Sequence, residues 1–165
     1  MSVPIISVVG KSDSGKTTLI CGLIPELKRR GYKVATIKHD VHGFDIDRPG
    51  KDTWKHAQAG ADTVIISSPW KVAMIEKVEE ELTLDQVITK VGQVDLIISE
   101  GYKRNNKPKI EIFRSTVHTE PLCTREDNIL AFASDVKPAL GVPVFATDDY
   151  AGLVDLIEEE IIKKQ

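Results

Sequence analysis

The sequence predicts an α/β fold of the P-loop nucleotide-binding type, with three layers, a mostly parallel sheet and one inserted β-hairpin. Strand-like apolar runs alternate with stretches of helical periodicity, which is the pattern of a parallel sheet with crossover helices. A glycine-rich phosphate-binding motif lies between the first apolar run and the first helical stretch. One pair of short apolar runs has no helix between its members and predicts the hairpin. Because the sequence contains no repeat and no low-complexity linker, we expect one domain over residues 1–165.

Each element follows from its hydrophobic period and from the residues that end it. Residues 4–9 form an apolar, β-branched run that predicts a buried first strand. Residues 17–30 predict a helix with one apolar face, a kink at Pro25 and an end at Gly31. The remaining predicted elements are a strand at 33–38, a helix at 53–61, hairpin strands at 63–67 and 71–76, a helix at 82–91, strands at 94–99, 110–114, 129–133 and 142–146, and a closing helix at 150–164.

The composition excludes several classes of protein. Hydrophobic residues make up 41% and charged residues 28% of the chain, as in ordinary globular proteins. No apolar run approaches the ~18 residues of a membrane span, and the first residues lack the basic start of a secretory signal. We therefore expect a cytoplasmic protein without a membrane partner. The net charge of −3 disfavours a nucleic-acid partner, and the isolated Cys21 and Cys123 predict reduced thiols.

The phosphate-binding motif runs from Gly10 to Thr17 and matches the Walker A pattern at every fixed position. Its glycines allow several backbone N–H groups to point at one phosphate, and the helix that follows adds its unpaired amides. We expect Lys16 to be the catalytic residue, which offsets charge on the β- and γ-phosphates, and the Thr17 hydroxyl to bind Mg²⁺. The predicted nucleotide-binding residues are Gly10, Lys11, Ser12, Asp13, Ser14, Gly15, Lys16, Thr17 and Thr18.

Two sets of basic residues have open interpretations. Lys11 directly follows the first glycine, and a lysine at this place can reach the nucleotide of a second subunit or simply face solvent. A basic cluster further along the chain could meet a phosphorylated small molecule or form an ordinary solvated loop. That cluster consists of Lys103, Arg104, Lys107 and Lys109.

A P-loop needs a second acidic group for its magnesium ion, normally at the end of a neighbouring strand. Glu100 follows the apolar run 94–99 and is therefore the second predicted metal ligand, beside Thr17. The alternative is an exposed glutamate at a strand end that binds no metal.

The irregular segment 39–52 is rich in acids and histidines and follows the second predicted strand. We expect it to emerge at the same sheet edge as the phosphate loop. His39 and His42 have a His-x-x-His spacing without further soft ligands, so a polar loop that orders on nucleotide binding is favoured over a transition-metal site. The acids predicted to approach Mg²⁺ directly or through water are Asp40, Asp47 and Asp52.

Together these segments resemble one family, the molybdopterin-guanine dinucleotide biosynthesis adaptor protein B family. The resemblance covers nearly the whole chain in the expected order. Its most specific part is the run from His-Asp to Pro-Gly-Lys-Asp after the second predicted strand. The segments that carry the resemblance are 10–18, 38–52, 59–61, 99–103 and 133–135.

Members of this family are small homodimeric P-loop proteins that bind GTP with Mg²⁺ and hydrolyse it weakly. The resemblance therefore implies a homodimer that assists the guanylyltransferase partner in attaching GMP to molybdopterin. It also implies delivery of molybdopterin-guanine dinucleotide to molybdoenzymes. The residues that it suggests for the same cleft are Asp47, Gly50, Lys51 and Asp52, with Asp40 and Asp135 as further candidates.

Recognition of guanine is implied by the family alone, because the Asn-Lys-x-Asp motif of many GTPases is absent from this sequence. Asp135, or Thr147 with Asp148, follows a late predicted strand and could accept hydrogen bonds from the base. Two other functions stay open. A small-molecule kinase would need an arginine-rich lid and an acceptor pocket, and a non-catalytic adaptor would keep its nucleotide as a structural part.

Overall fold

The computed structural model of the chain describes residues 3–164. The strands are β1 (Ile5–Val9), β2 (Val34–Lys38), β3 (Thr63–Ser68), β4 (Lys71–Glu76), β5 (Leu96–Glu100), β6 (Lys109–Phe113), β7 (Ile129–Ser134) and β8 (Val144–Phe145). The α-helices are α1 (Lys16–Arg29), α2 (Asp52–Gln58), α3 (Leu84–Ile88) and α4 (Tyr150–Ile157), and a π-helical turn at Glu158–Ile162 continues α4.

The chain divides into two compact units, one of which is the continuous segment Asp40–Val87. The other unit combines the residues before and after that segment and contains a six-stranded sheet in the order β2-β5-β1-β6-β7-β8. Every neighbouring pair in this sheet is parallel. The predicted α/β class and the mostly parallel sheet are confirmed.

The hydrophobic core of the first unit lies between one face of this sheet and the helices α1 and α4. Leu19, Leu23 and Leu27 recur every four residues along α1, and each is at most 1% exposed. A helix brings such residues onto one face, so all three point into the core. Burial of each leucine contributes roughly 1.5–3 kcal/mol. The predicted apolar face of the first helix is therefore the one that anchors it to the sheet.

The second unit contains α2 and the antiparallel hairpin β3–β4, which confirms the predicted insertion. In the hairpin, Ile65 pairs with Met74 and Ser67 pairs with Val72, so these four side chains share one face. The side chains of Ile65, Met74 and Val72 are 60%, 51% and 66% exposed. An apolar sheet face of this kind is typical of a protein–protein contact.

Two predicted helices differ from the observed ones. The helix expected at 82–91 is only α3, because Thr83 and Gln86 form a reciprocal cap that starts the helix at Leu84. A turn closed by the Val91 N–H and the Ile88 carbonyl follows its last residue. The closing helix expected at 150–164 changes to a π-helical turn after Ile157.

The Pro25 kink stays a prediction, although Pro25 does lie within α1. No helix within residues 3–164 is both long enough and apolar enough to cross a bilayer. The cytoplasmic location also stays a prediction.

Arg30 connects the end of α1 to the C-terminal helical segment. Its guanidinium donates to Glu26 Oε1 at 2.7 Å and to Asp155 Oδ1 at 2.6 Å, and it reaches Glu158 Oε2 at 3.1 Å. Hydrogen bonds from Arg29 and then from Arg30 lower the pKa of Glu26 from 4.5 to about 2. The ionised form of Glu26 is therefore favoured in the folded state.

We expect Glu26→Gln to lower the urea midpoint of unfolding at neutral pH. Because the pKa of Glu26 is lower in the folded than in the unfolded state, its contribution is complete above about pH 4.5 and is lost as the pH falls toward about 2. The difference between wild type and variant should therefore shrink over that range. A difference that stays constant or grows in acid would contradict the role given to Glu26.

Candidate functional site

The predicted site residues of the first unit lie at the carboxyl ends of its parallel strands. The phosphate loop follows β1, Glu100 ends β5, and Asp135 follows β7. Parallel strands bring these ends to one edge of the sheet, where open α/β sheets bind their ligands. Since β1 pairs with β5 on one side and β6 on the other, the phosphate loop starts in the interior of that edge.

The backbone of the phosphate loop takes conformations that favour small residues. Gly10 has a φ of 155° and Gly15 a φ of 102°. A Cβ atom at Gly10 would lie 2.6 Å from Ser14 Oγ and 2.7 Å from the carbonyl oxygen of Ile112 on β6, so only glycine fits there. Asp13 is not a glycine, yet its φ is 59°. The left-handed conformation costs a residue of this kind about 1–2 kcal/mol, so the surrounding contacts must hold it in place.

Lys16 begins α1 and folds back over the loop. Its Nζ donates to the carbonyl oxygen of Gly10 at 3.1 Å and to that of Lys11 at 2.9 Å. Gly15 supplies no side-chain cap to α1, and Leu19 N–H makes a helical bond to the Gly15 carbonyl at 2.9 Å. The amides before Leu19 have no acceptor within the helix, and such amides stabilise an anion.

Ser14 adds a buried hydroxyl to this loop. The residue is 1% exposed, and its Oγ has no hydrogen-bond partner in the part of the chain that the structure describes. A buried hydroxyl without a partner costs about 1–3 kcal/mol, so it calls for a reason such as a role at a site. With the Lys16 cation and the helix amides, it fits a loop built to hold an anion.

The two predicted metal ligands lie side by side. Thr17 Oγ1 donates to the carboxylate of Glu100, at 3.1 Å from Oε1 and 3.2 Å from Oε2, although the residues are 83 positions apart in the sequence. The strand register sets this contact, because Val8 of β1 pairs with Glu100 of β5. Gly101 N–H then donates to the Val8 carbonyl at 3.2 Å and holds the turn after the strand.

His39 stands next to this pair but stacks on an aromatic ring. Its ring centroid is 4.4 Å from that of Tyr102, with 28° between the ring planes. The backbone N–H of His39 donates to the Glu100 carbonyl at 3.0 Å. No group of three or more His, Cys, Asp or Glu side chains within residues 3–164 is arranged to hold a metal ion. The interpretation of His39 and His42 as part of a polar loop that orders on nucleotide binding stays a prediction.

No sequence motif pointed to His118, which contacts the phosphate loop from the segment after β6. Its Nε2 is 2.7 Å from the carbonyl oxygen of Ser12. The two residues are 106 positions apart, so no local spacing could have indicated the contact. Only the pairing of β6 with β1 brings the two loops together.

Two carboxylates hold the segment that carries His118. Asp135 accepts hydrogen bonds from the N–H of Ser115 at 2.8 Å and from its hydroxyl at 3.0 Å, and these bonds lower the pKa of Asp135. The buried Glu111 accepts from the N–H groups of Leu122 at 2.5 Å and Cys123 at 2.8 Å. Burial, and next the Glu111 carboxylate, raise the pKa of the Cys123 thiol.

The interpretation of Lys109 as part of a solvated basic loop is wrong. Its side chain is 1% exposed, and its Nζ donates to the carbonyl oxygens of Asn105 at 2.5 Å and Lys107 at 3.3 Å. The side chain of Asn105 donates in turn to Ser7 Oγ at 3.1 Å, which is 2.7 Å from Ser99 Oγ. The segment after Glu100 is therefore fixed to β1 by a buried polar network.

Comparison with known proteins decides the family. The family MobB, described as molybdopterin guanine dinucleotide synthesis protein B, matches residues 5–135 of this chain. The chain belongs to the MobB family. A molybdopterin-guanine dinucleotide biosynthesis adapter protein from Escherichia coli K12 is 35% identical over 167 residues, which cover 98% of this chain and 95% of the relative. A protein of the same description from Haemophilus influenzae is 32% identical and covers 94% of this chain and 88% of its own length.

Solved structures of the MobB family share the fold. The crystal structure of a molybdopterin-guanine biosynthesis protein B is 33% identical, with a TM-score of 0.71 over 94% of this chain and 97% of that one. The structure of Bacillus subtilis MobB is 26% identical, with a TM-score of 0.75 over 96% of this chain and 98% of that one. The P-loop fold with its separate hairpin is therefore that of the MobB family.

Most of the cleft residues suggested by the MobB resemblance belong to the second unit. These are Asp40, Asp47, Gly50, Lys51 and Asp52. Asp47 Oδ1 accepts from the Thr53 hydroxyl at 3.0 Å and from the Arg48 N–H at 2.8 Å, and so ties the loop to the first turn of α2. Their approach to the phosphate loop stays a prediction, as does the reading of guanine by Asp135.

Proposed function

We propose that this chain binds GTP with Mg²⁺ at its phosphate loop, hydrolyses it slowly and acts as an adapter in the synthesis of molybdopterin-guanine dinucleotide. The observation that carries the proposal is the contact between Thr17 and Glu100 next to the Lys16 cation. Membership of the MobB family supports the pathway, since relatives are named as adapter proteins of molybdopterin-guanine dinucleotide biosynthesis. The guanine of that product makes GTP the nucleotide that we propose.

Thr17 and Glu100 suit Mg²⁺ in chemistry and in spacing. Magnesium prefers oxygen ligands, and adjacent ligands of an octahedral ion with bonds of about 2.1 Å lie about 3.0 Å apart. The hydroxyl and carboxylate oxygens are 3.1 and 3.2 Å apart, so both side chains can face one ion or its water shell without a large movement. When bound, the ion would offset negative charge on the β- and γ-phosphates.

The side chains at the loop favour charge stabilisation over proton transfer. Lys16 supplies a cation on the loop, and the helix amides supply further donors. Glu100 is engaged with the Thr17 hydroxyl, which suits a place beside the metal better than the role of a general base. Such a site supports slow hydrolysis, in which the bound nucleotide matters more for the state of the protein than for turnover.

The partners follow from the role of an adapter. We propose that the chain works with the guanylyltransferase that joins GMP to molybdopterin, and that molybdopterin-guanine dinucleotide passes from the pair to molybdoenzymes. We further propose a homodimer, in which the exposed hairpin face of Ile65, Val72 and Met74 meets a second copy of the chain. These side chains are more than half exposed, and pairing of the two faces would remove them from water.

We expect Lys16→Ala to weaken Mg²⁺·GTP binding about ten- to a hundredfold, because the variant loses charge-assisted hydrogen bonds to phosphate. Calorimetric titration with and without a chelator would measure the affinity and its dependence on magnesium. Lys28→Ala is the matched control, since Lys28 lies in the last turn of the same helix and donates to the Tyr32 carbonyl. Wild-type affinity in Lys16→Ala would refute the proposed site.

We expect Met74→Glu to shift the protein from two chains to one in sedimentation velocity, because a buried unpaired carboxylate is costly at an interface. Val136→Glu is the control, since Val136 is also exposed but lies outside the hairpin. A wild-type protein that sediments as a single chain, or a Met74→Glu variant that still pairs, would exclude this interface.

A further inference from the structure

The hydrogen bond between His118 and Ser12 has a fixed direction. The Ser12 carbonyl oxygen can only accept, so the His118 Nε2, 2.7 Å away, carries the proton and donates it. His118 is half-buried, and its segment returns toward the phosphate loop after β6. One side chain of a distant loop therefore holds one carbonyl of the phosphate loop.

The segment around His118 is itself held in place. The N–H groups of Val117 and His118 both donate to the Arg114 carbonyl at 3.0 Å, which closes a tight turn. Ser115 follows Arg114 in this turn, and its N–H and its hydroxyl both donate hydrogen bonds to the carboxylate of Asp135. The imidazole is therefore presented by a turn that is fastened to the carboxyl end of β7.

The carbonyl that His118 holds belongs to a strained part of the phosphate loop. Ser12 C=O and Asp13 N–H share one planar peptide group, and no cis peptide bond occurs within residues 3–164. In a trans peptide the C=O and the N–H point in opposite directions. The hydrogen bond from His118 holds the Ser12 oxygen on one side of the loop, so the Asp13 N–H points to the opposite side. Asp13 is also the non-glycine residue of the loop with a φ of 59°, a conformation that persists only when its neighbours enforce it.

We propose that His118 is a positioning residue of the phosphate loop, which fixes the Ser12–Asp13 peptide so that the Asp13 N–H faces the phosphates of the bound nucleotide. This role rests on the proposed binding of GTP. Ser115 and Asp135 act through His118, because they hold the turn that presents it. Asp135 therefore contributes to nucleotide binding by holding this turn, and this contribution needs no contact between Asp135 and the base.

The first test compares affinities for Mg²⁺·GTP by calorimetry. His118→Ala should weaken binding roughly three- to tenfold, the effect of one lost hydrogen bond. His118→Gln should restore most of the affinity, because the glutamine amide nitrogen can donate from the place of Nε2. His56→Ala is the control, since His56 is exposed on α2 in the second unit. Equal losses in the alanine and glutamine variants would overturn the proposal.

The second test needs no nucleotide and separates this inference from the proposed function. In ¹H–¹⁵N spectra of the free protein, the Asp13 amide resonance should move in His118→Ala and return in His118→Gln, while the resonances of Ile129–Ser134 stay in place. An Asp13 resonance that does not move would overturn the proposal. If it moves but the wild-type protein binds no GTP, then His118 does fix the Ser12–Asp13 peptide, and the proposed function falls together with the link to phosphate binding.

A double-mutant cycle tests the path from Asp135. Ser115→Ala removes the hydroxyl bond to Asp135 and keeps the N–H bond. It should therefore weaken GTP binding in the wild type by less than His118→Ala does, and have no further effect in His118→Ala. Fully additive losses would show that Ser115 does not act through His118.

Discussion

The parallel pairing of β1 with β5 and β6 is the constraint on which the whole site depends. On one side, Val8 of β1 pairs with Glu100 of β5, and this register places the Glu100 carboxylate within hydrogen-bond distance of the Thr17 hydroxyl. On the other side, β6 brings the Ile112 carbonyl so close to Gly10 that no side chain fits there. The phosphate loop is thus shaped by its two neighbouring strands as much as by its own glycines. A shift of either strand by one residue would separate the groups that the proposed chemistry needs.

The parts of the fold that depend on local pattern could be predicted from the sequence. Short stretches of sequence encode the Walker A motif, the strand before it, the apolar face of α1 and the hairpin around Pro69. Glu100 could also be predicted, because a P-loop needs an acid at a neighbouring strand end. The closing helix is only partly predictable, because its apolar spacing continues to the buried Ile161 while the backbone changes to a π-helical turn after Ile157.

The groups that sequence reasoning did not find owe their roles to burial or to the pairing of distant strands. Lys109 looks like one of several loop lysines in the sequence, yet its side chain is buried and its Nζ donates hydrogen bonds to the carbonyl oxygens of Asn105 and Lys107. Glu111 is buried and accepts from the N–H groups of Leu122 and Cys123, a turn that no local pattern indicated. His118 reaches Ser12 only because β6 pairs with β1. The arrangement of the site therefore depends both on a local sequence motif and on the topology of the fold. A local motif supplies the groups that we propose to contact phosphate, and the topology supplies the residues that hold that motif in shape.

The most direct measurement is a crystal structure of the chain with Mg²⁺ and a non-hydrolysable GTP analogue. We predict that the Nζ of Lys16 leaves the carbonyls of Gly10 and Lys11 for the phosphate oxygens, and that the ion lies beside Thr17 Oγ1 and Glu100. A nucleotide bound away from the loop between Gly10 and Thr17, with Lys16 still on those carbonyls, would contradict the proposed site.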